Sequence, residues 1–380
     1  MMKQSVHGGN IYEVARILRC QPEEIIDLSA SINPLGPPAG LKDLICESFN
    51  AIRHYPDIGN TELIEAISDS QDINPDYVIV GNGSTEILYW IPYAFDLKRV
   101  AIVVPTFSEY IRSLENKGAI IRTLTASWEH GFQPTVYQLE ALINNVNPDA
   151  IFLTNPGSPS GVPFSDDIRE FIKEKAKRSD FLWIIDEVFI DFCEEFSLLE
   201  LVKALPNILI IRSLTKFYAL PGLRLGYALA HPLTCQRLRN FIPPWSVNTI
   251  AQIAGAYCIK QDDFRMKTLE FFSKERARVF GVLREFPWLS FLKTFANYVL
   301  IKLNDNCPTD AAKIQTALIE QKRILIRNCE NFKGLSNRFI RIAIASPELN
   351  DLWLQALKEL IAGLVSNDSN QVKEVSGRQV

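Results

Sequence analysis

Histidine is scarce in this sequence, and cysteine does not occur in the spacings that bind metals. The four histidines are scattered and form no metal-ligand pattern with the seven cysteines, so the sequence predicts no metal site. The cysteine count is odd and includes no CxxC pair, which argues against a disulfide framework and indicates a reducing compartment. We therefore expect a cytoplasmic protein.

Long apolar runs and a secretory signal are also lacking. The first ten residues have neither a basic start nor an apolar core, and no apolar run approaches the roughly 20 residues that span a bilayer. The net charge is −4, which is less basic than is usual for a nucleic-acid binder. No GxGxxG fingerprint is present, which argues against a nicotinamide enzyme. The sequence thus predicts neither a membrane partner nor a nucleic-acid partner.

Short apolar runs that end in small, polar or charged residues predict a predominantly parallel α/β sheet. The segments between them often read as helices, such as residues 166–179, where Ser165 can cap the first turn. The predicted strands cover residues 77–80, 100–104, 150–153, 182–185, 208–211 and 227–230. In such sheets ligands bind outside the carboxyl ends of the strands.

The length of 380 residues suggests two domains. After residue 245 the pattern changes to a long amphipathic helix over 264–286 and candidate strands at 298–302 and 339–344, which indicates a smaller α+β domain. The predicted division is an N-terminal arm over 1–45, a large domain over 46–245, a small domain over 246–366 and a polar, frayed or disordered tail over 367–380.

The strongest local signal is Lys216, which follows a predicted strand within Ser213-Leu214-Thr215-Lys216. A lone lysine is usually a solvated surface charge. Here small hydroxyls and Arg224 accompany it, and together they could hold a phosphate while the amine forms an imine. The pattern favours Lys216 as a Schiff-base lysine.

Asp186 stands at the end of the predicted strand 182–185. A carboxylate there can keep a pyridinium nitrogen protonated, so that the ring of pyridoxal phosphate (PLP) acts as an electron sink. The alternative is that Asp186 caps the next helix. Phe107 follows another predicted strand and could lie against a flat ring, although such an aromatic is more often part of a core.

Small residues at 81–86 join a strand to a helix that we expect to begin near Glu86. Backbone amides at such a helix start can bind an anion, although the signal is weak alone.

Many motifs occur in one order from His7 to about Ser346, and together they resemble those of the fold type I PLP-dependent enzymes of the aminotransferase class I/II superfamily. The nearest branch contains histidinol-phosphate aminotransferases and the threonine-phosphate decarboxylases of the cobalamin pathway. The motifs include His7-Gly8-Gly9-Asn10, Ser29 to Gly36, Asn155 to Gly161, Asp186 to Phe192, Arg212 to Tyr227 and Arg341-Ile342-Ala343. The resemblance implies PLP as cofactor and a mostly parallel seven-stranded sheet with a smaller C-terminal α+β domain.

The resemblance also implies roles for individual residues. Lys216 would carry the cofactor and Asp186 would bind its ring nitrogen. The other implied cofactor-binding residues are Gly83, Ser84, Thr85, Phe107, Ser158, Ser213, Arg224 and, from a second subunit, Tyr55, which implies a homodimer. Arg341 would bind the substrate carboxylate as a planar bidentate donor, and the implied lining of the far end of the substrate pocket is His7, Asn33 and Arg327.

Two positions depart from the family pattern. Ser158 stands where an Asn usually bonds the 3′-oxygen of PLP, and Phe189 stands where many aminotransferases have a Tyr. A serine hydroxyl has a shorter reach than an asparagine amide. We therefore expect that the PLP ring sits closer to Ser158, that a water bridges Ser158 to the 3′-oxygen, or that this contact is weakened.

The resemblance favours one reaction. The opening motifs and residues 212–220 and 244–248 are more similar to those of the decarboxylases, which implies decarboxylation of O-phospho-L-threonine to (R)-1-amino-2-propanol O-2-phosphate for the cobamide nucleotide loop. O-phospho-L-serine, giving ethanolamine phosphate, is a close variant. The alternatives are a histidinol-phosphate:2-oxoglutarate aminotransferase and, in another class, a non-catalytic PLP-binding regulator or scaffold.

Overall fold

The computed structural model describes residues 7–376, and over residues 365–376 it describes the backbone alone. The chain forms two compact units. The central unit is Ile32–Phe271, and the terminal unit combines Met1–Ser31 with Phe272–Val380.

The boundaries of these units differ from the predicted domain bounds at residues 45 and 245. One reason is tight packing inside the central unit by a helix that lies beyond residue 245. A Cβ added to Gly255 of that helix would come within 2.4 Å of Leu225 and 2.8 Å of Leu63. Such close contacts depend on positions far apart in the sequence, so the composition along the chain does not reveal them.

The strands of the described residues are short. In chain order they are β1 (Ile26–Asp27), β2 (Val78–Asn82), β3 (Arg99–Val104), β4 (Ile120–Thr125), β5 (Ala150–Thr154), β6 (Leu182–Asp186), β7 (Ile208–Ser213), β8 (Leu225–Ala230), β9 (Leu289–Phe291), β10 (Tyr298–Leu303), β11 (Ile324–Leu325), β12 (Arg327–Asn328) and β13 (Phe339–Ala343).

The α-helices vary more in length. In chain order they are α1 (Ile11–Leu18), α2 (Leu41–Glu47), α3 (Thr61–Ser70), α4 (Ser84–Ala94), α5 (Ser108–Lys117), α6 (Val136–Val146), α7 (Asp166–Ala176), α8 (Leu199–Ala204), α9 (Leu214–Phe217), α10 (Pro232–Arg239), α11 (Thr249–Ile259), α12 (Asp262–Leu283), α13 (Ala311–Lys322) and α14 (Pro347–Ser376).

The central unit is built on a seven-stranded sheet in the order β2-β8-β7-β6-β5-β3-β4. Only β8 runs antiparallel to its neighbours, β2 and β7, so the sheet is mostly parallel as expected. Strands β6, β7 and β8 are buried along their whole length, which fits their nearly continuous apolar sequences. The predicted strands correspond to β2, β3, β5, β6, β7 and β8, and the predicted α/β fold class is confirmed.

The terminal unit has a separate core. Its four-stranded antiparallel sheet has the order β12-β13-β10-β9, and β1 pairs in parallel with β11. The side chains of Trp353, Ile301 and Ile340 are fully buried in this core. Strands β10 and β13 are the two strands predicted after residue 245, and α12 is the predicted long helix.

The predicted tail is only partly described. Helix α14 extends over residues 367–376 of this segment. Residues 377–380 lie outside the described part of the chain. Among the described helices, none combines the length and the apolar character needed to cross a membrane.

Candidate active site

Lys216 lies in a short helical turn at the carboxyl end of a buried strand. β7 ends at Ser213, and the four-residue helix α9 follows directly. The Ser213 hydroxyl caps this turn, because its Oγ accepts a hydrogen bond from the Thr215 backbone N–H at 3.3 Å and lies 2.8 Å from Thr215 Oγ1. The half-buried Lys216 side chain therefore projects from a fixed backbone at the ligand-binding edge of the sheet.

Asp186 ends the neighbouring strand β6 and is 6% exposed. Its Oδ1 accepts a hydrogen bond from the Val188 N–H at 2.9 Å, and its Oδ2 accepts one from the Tyr110 hydroxyl. Burial raises the pKa of Asp186 to about 6, while these two donors lower it. Asp186 thus caps a local turn and also places a carboxylate beside the Lys216 turn, because β6 and β7 are adjacent.

A chain of hydroxyls leads away from Asp186. Tyr110 Oη lies 3.2 Å from Thr154 Oγ1, which lies 2.9 Å from Thr106 Oγ1. Burial raises the pKa of Tyr110 well above its ordinary value, so its hydroxyl stays a neutral donor to the carboxylate. The ring of Phe107 meets the Tyr110 ring edge-on, with centroids 6.0 Å apart. Phe107 therefore lies near Asp186, as a ring-stacking role requires.

A cradle for an anion forms where β2 meets α4. Helix α4 begins at Ser84, two residues earlier than expected, after Gly83 with φ +79°. A Cβ on Gly226 would lie 2.2 Å from the Ser84 backbone nitrogen, and one on Gly83 would lie 2.6 Å from the Arg224 guanidinium. The N–H groups of the first turn, which includes Thr85, and the Arg224 guanidinium thus meet at one place, which suits a phosphate.

Two further residues predicted to bind the cofactor lie elsewhere in the central unit. Ser158 is 8% exposed, in the loop after β5. Tyr55 is 80% exposed, and its ring stacks on Trp245 with centroids 4.7 Å apart. A residue that reaches into a second subunit must be exposed when its own subunit is considered alone. The exposed position of Tyr55 is therefore compatible with binding the cofactor of a second subunit, and that role stays a prediction.

A buried ion pair links the residue directly after β6 to a residue of β7, the strand that precedes the Lys216 turn. Arg212 donates to Glu187 Oε2 from Nη2 at 2.9 Å and from Nε at 3.2 Å, and both side chains are fully buried. Burial raises the pKa of Glu187, and the Arg212 charge opposes that shift. Arg212 also donates to the side chains of Ser197 and Gln71. This pair was not predicted. Its only signs in the sequence are two charged residues next to predicted site residues: Glu187 directly follows Asp186, and Arg212 directly precedes Ser213.

The terminal unit brings together two of the predicted substrate-binding residues. Arg327 and Arg341 are partners in the pairing of β12 with β13. Arg341 lies over the Tyr298 ring at 4.7 Å, and Arg327 Nη2 donates to Asn331 Oδ1 at 2.7 Å. Burial lowers the pKa of Arg327, and together with the charge of the neighbouring Arg341 it brings the pKa to about 10. Two adjacent guanidinium groups are suited to a ligand with more than one negative charge.

The N-terminal motif lies beside this arginine pair. The Gly9 N–H donates to Ser29 Oγ at 2.9 Å, and a Cβ on Gly8 would lie 2.3 Å from the Ser29 carbonyl oxygen. That same carbonyl accepts a hydrogen bond from Arg341 Nη2 at 3.4 Å. Glycine at position 8 is therefore required by a close approach of backbone, and His7 is held in the neighbourhood of Arg341.

Asn33, the fourth residue predicted to bind substrate, belongs to the central unit and is 2% exposed. Its Nδ2 donates to the Phe217 carbonyl at 2.8 Å and to Thr268 Oγ1 at 3.0 Å, and its Oδ1 accepts from the Leu35 N–H at 3.0 Å. Both amide hydrogens thus have partners within the protein, which does not favour a substrate contact.

The fold and the central unit together define a class of enzyme. A parallel α/β sheet presents a lysine, a buried carboxylate and a phosphate cradle at the carboxyl ends of neighbouring strands. These groups fit a phosphorylated pyridine aldehyde, because the lysine can bind the aldehyde, the carboxylate the ring nitrogen and the helix start the phosphate.

The chain belongs to the aminotransferase class I and II family, whose model matches residues 23–357. It is therefore a PLP-dependent enzyme of the fold type I class, and the predicted cofactor is confirmed.

Comparisons with individual proteins agree with this assignment. The chain is 35% identical to the threonine-phosphate decarboxylase of Salmonella typhimurium over 96% of its own length and 99% of that protein. It is 28% identical to the histidinol-phosphate aminotransferase of Methanococcus maripaludis, over 94% and 96% of the two chains. The fold is similar to that of histidinol-phosphate aminotransferase from Sinorhizobium meliloti in complex with pyridoxal-5′-phosphate, with a TM-score of 0.83, 21% identity and coverage of 93% and 95%.

Proposed function

We propose that the protein decarboxylates O-phospho-L-threonine to (R)-1-amino-2-propanol O-2-phosphate, a precursor of the cobamide nucleotide loop. The observation that carries this proposal is the paired arginines, Arg327 and Arg341, because the substrate has a carboxylate and a phosphate. The similarity to threonine-phosphate decarboxylase over nearly the whole chain supports it.

The arginine pair suits such a substrate on electrostatic grounds. Two guanidinium groups on neighbouring strands repel one another. Burial lowers the pKa of Arg327, and this repulsion acts in the same direction. An anionic ligand removes the repulsion and accepts bidentate hydrogen bonds from each planar group. We assign the substrate carboxylate to Arg341 and the substrate phosphate to Arg327 and His7.

Residues of the central unit supply the chemistry. When bound, PLP provides an electron sink for the electron pair left on the substrate α-carbon as carbon dioxide departs. We propose that Lys216 Nζ carries the cofactor between turnovers and that the Asp186 carboxylate holds a proton at the ring nitrogen. The Tyr110 hydroxyl keeps that carboxylate oriented, and Arg224 with the first turn of α4 holds the phosphate.

Two other substrates share all or part of these charges: O-phospho-L-serine has both the carboxylate and the phosphate, whereas histidinol phosphate has the phosphate but no carboxylate. O-phospho-L-serine differs by one methyl group, worth only about 1–3 kcal/mol in a pocket, and it would give ethanolamine phosphate. Histidinol phosphate is also a phosphorylated amine, and the 28% identity to a histidinol-phosphate aminotransferase makes amino transfer to 2-oxoglutarate the second candidate function.

We further propose that the enzyme is a homodimer. Exposed apolar side chains are concentrated in one segment of the central unit, where Phe49 is 62% exposed, Ile52 53%, Tyr55 80% and Ile58 63%. Such a concentration on a surface indicates a protein interface. The family resemblance implies that a second copy at this surface contributes its Tyr55 to the binding of the cofactor phosphate.

The cytoplasm is the proposed compartment. All seven cysteines are free, and five of them are buried, which fits a reducing environment.

Carbon dioxide release tests the proposed function directly. The purified holoenzyme is incubated with O-phospho-L-threonine without any keto acid, and carbon dioxide and the amino alcohol phosphate are measured. We expect release by the wild type and by Lys203→Ala, which removes a half-exposed surface lysine, and a loss of at least about a thousandfold in Lys216→Ala.

Other outcomes point elsewhere. Amino transfer from histidinol phosphate to 2-oxoglutarate without carbon dioxide release would identify the aminotransferase. A borohydride-sensitive cofactor band with neither activity would favour a non-catalytic regulator. Retained turnover in Lys216→Ala would contradict the role given to that lysine.

A further inference from the structure

The turn that carries Lys216 ends with carbonyl groups that its own helix cannot satisfy. Helix α9 has only four residues, and the chain leaves it through Ala219, which has φ +55°. The last carbonyl groups of a helix lack intrahelical partners, and buried ones need donors from elsewhere. The Leu220 N–H donates to the Thr215 carbonyl at 3.2 Å, and the next two carbonyl groups along the chain are those of Lys216 and Phe217.

Asn33 donates hydrogen bonds to both of these carbonyl groups. Its backbone N–H donates to the Lys216 carbonyl at 3.1 Å, and its side-chain Nδ2 donates to the Phe217 carbonyl at 2.8 Å. Residue 33 is distant in sequence from this turn, so it acts as a helix cap from another segment. These bonds lie within the central unit, where Asn33 is almost fully buried.

The orientation of the Asn33 side chain is itself fixed. The second hydrogen of Nδ2 goes to Thr268 Oγ1 at 3.0 Å, and Oδ1 accepts from the Leu35 N–H at 3.0 Å. Only an amide provides two donated hydrogens and an acceptor on one short side chain. An aspartate could keep the Leu35 bond but would turn an oxygen toward the Phe217 carbonyl.

Packing holds the same turn from its other side. The Phe217 ring is fully buried and meets Phe192 at 5.1 Å and Phe264 at 6.3 Å between centroids. The packed Phe217 ring and the two bonded carbonyl groups hold the backbone of Lys216 from two sides. The lysine arm is flexible, so this backbone position decides which points in the site its amine can reach.

We infer that Asn33 is a positioning residue, which holds the backbone of Lys216 where its amine can serve the cofactor, and that it does not bind substrate. The inference rests on the proposed role of Lys216 as the cofactor-bearing lysine. It replaces the pocket-lining role that the family resemblance implied for Asn33.

The variant Asn33→Ala tests this inference, with Asn207→Ala as its matched control. Asn207 also donates its side-chain amide to backbone carbonyls, those of Ala176 and Ser179, but it precedes β7 and so lies at the opposite end of that strand. For each holoenzyme the pH midpoint of the cofactor absorption band is measured without substrate, because that midpoint depends on the geometry of the lysine linkage. Turnover of O-phospho-L-threonine then gives kcat and KM separately.

A positioning role and a substrate-binding role predict different results. If Asn33 positions Lys216, Asn33→Ala shifts the midpoint and lowers kcat by about 10–100-fold with little change in KM, whereas Asn207→Ala resembles the wild type. An unshifted midpoint with unchanged kcat and a raised KM would overturn the inference, because it would show that Asn33 contacts substrate.

Two measurements keep the test decisive. If Asn33→Ala does not fold, Asn33→Ser is used, since its hydroxyl is too short to reach the Phe217 carbonyl, and the same two outcomes apply. Borohydride reduction followed by peptide mapping identifies the lysine that carries the cofactor. Labelling of a different lysine would contradict the proposed site itself, whereas labelled Lys216 with an unshifted midpoint would contradict only the role of Asn33.

Discussion

The carboxyl group of Asp186 has a pKa that depends on its neighbours. Burial raises it from 3.8 to about 6, and hydrogen bonds from Tyr110 and Val188 keep it from rising further. The folded-state pKa exceeds the unfolded value, so the folded protein holds this proton more tightly than the unfolded chain does. The resulting contribution to the free energy of unfolding is fully present below about pH 4 and is lost as the pH rises through about 6. The donors therefore stabilise the protein most at neutral pH, which lies above the pKa of the carboxyl group.

The variant Tyr110→Phe tests this dependence. It removes a hydrogen bond to a buried carboxylate, which contributes about 1.5–3 kcal/mol when the acceptor is charged and about 1 kcal/mol when it is neutral. We expect the cofactor-free variant to lose more stability at pH 8 than at pH 4, because its Asp186 pKa rises above that of the wild type. Urea unfolding at both pH values measures the two differences.

Tyr257→Phe is the control for this experiment. Its hydroxyl donates to the neutral Ala39 carbonyl at 2.6 Å, so its loss should cost the same at both pH values. A Tyr110→Phe variant whose loss does not change with pH would show that the hydroxyl does not act on the Asp186 charge.

The sequence predicted Lys216 and Asp186 from their places after apolar strands, but it did not predict the groups that support them. Tyr110 is 76 residues from Asp186 in the chain, and Asn33 is 184 residues from Phe217. Nothing in the local pattern around Asn33 distinguishes a helix cap from a ligand contact. Such roles depend on tertiary contacts, which appear only once the segments are folded together.

At the scale of the elements, the reversed direction of β8 builds the phosphate cradle. Because β8 runs opposite to its neighbours, its first residues lie at the edge where the other strands end. Arg224, which directly precedes β8, thereby reaches Gly83 at the start of α4. The close approach of β8 to α4 is possible only with glycine at position 226.

The variant Gly226→Ala is expected to weaken cofactor binding. Its Cβ would lie 2.2 Å from the Ser84 backbone nitrogen, so the first turn of α4 must move. We expect at least about a tenfold weaker PLP affinity and a loss of about 1–3 kcal/mol in stability. Absorbance titration of the cofactor-free protein with PLP measures the affinity.

Gly222→Ala is the matched control, because a Cβ there meets nothing within 4 Å. It lies four residues before Gly226 and adds the same methyl group. Wild-type affinity in both variants would contradict the cradle.

Strand β4 shows why one element was missed. It forms an edge of the large sheet, and its residues are exposed or half-buried. Its sequence therefore lacks the apolar run that identified the buried strands, although its β-branched residues suit an edge position. The direction of β8 was also hidden, since an apolar run says nothing about the orientation of a strand.

At the scale of the whole molecule, the exposed segment at residues 49–58 predicts how subunits associate. On the proposal that the protein is a homodimer joined by this segment, we expect Ile58→Asp to shift it toward monomer in sedimentation velocity, because the variant puts a charge into an apolar interface. Leu233→Asp is the matched control, since both residues are 63% exposed and Leu233 lies on α10, away from this segment. A dimer that is equally stable in all three proteins would place the interface elsewhere.

The chain passes from one compact unit to the other at a point that composition does not mark. The sequence treated the first 45 residues as one arm, yet the chain changes unit at Ser31. Just before that point, Ser29 accepts hydrogen bonds from Gly9 and Arg341 of the terminal unit, and just after it, Asn33 donates to the Phe217 carbonyl of the central unit. Composition does not report such contacts.

The pairing of β2 with β8 also has a consequence for synthesis of the protein on the ribosome. Gly81 pairs with Gly226, so the two halves of the phosphate cradle are made roughly 145 residues apart. At about 5–20 residues per second, several seconds pass between the appearance of one half and the appearance of the other. On the proposed role of this cradle, a nascent chain cannot bind its cofactor there until β8 has left the exit tunnel, and capture of PLP becomes a late event in maturation.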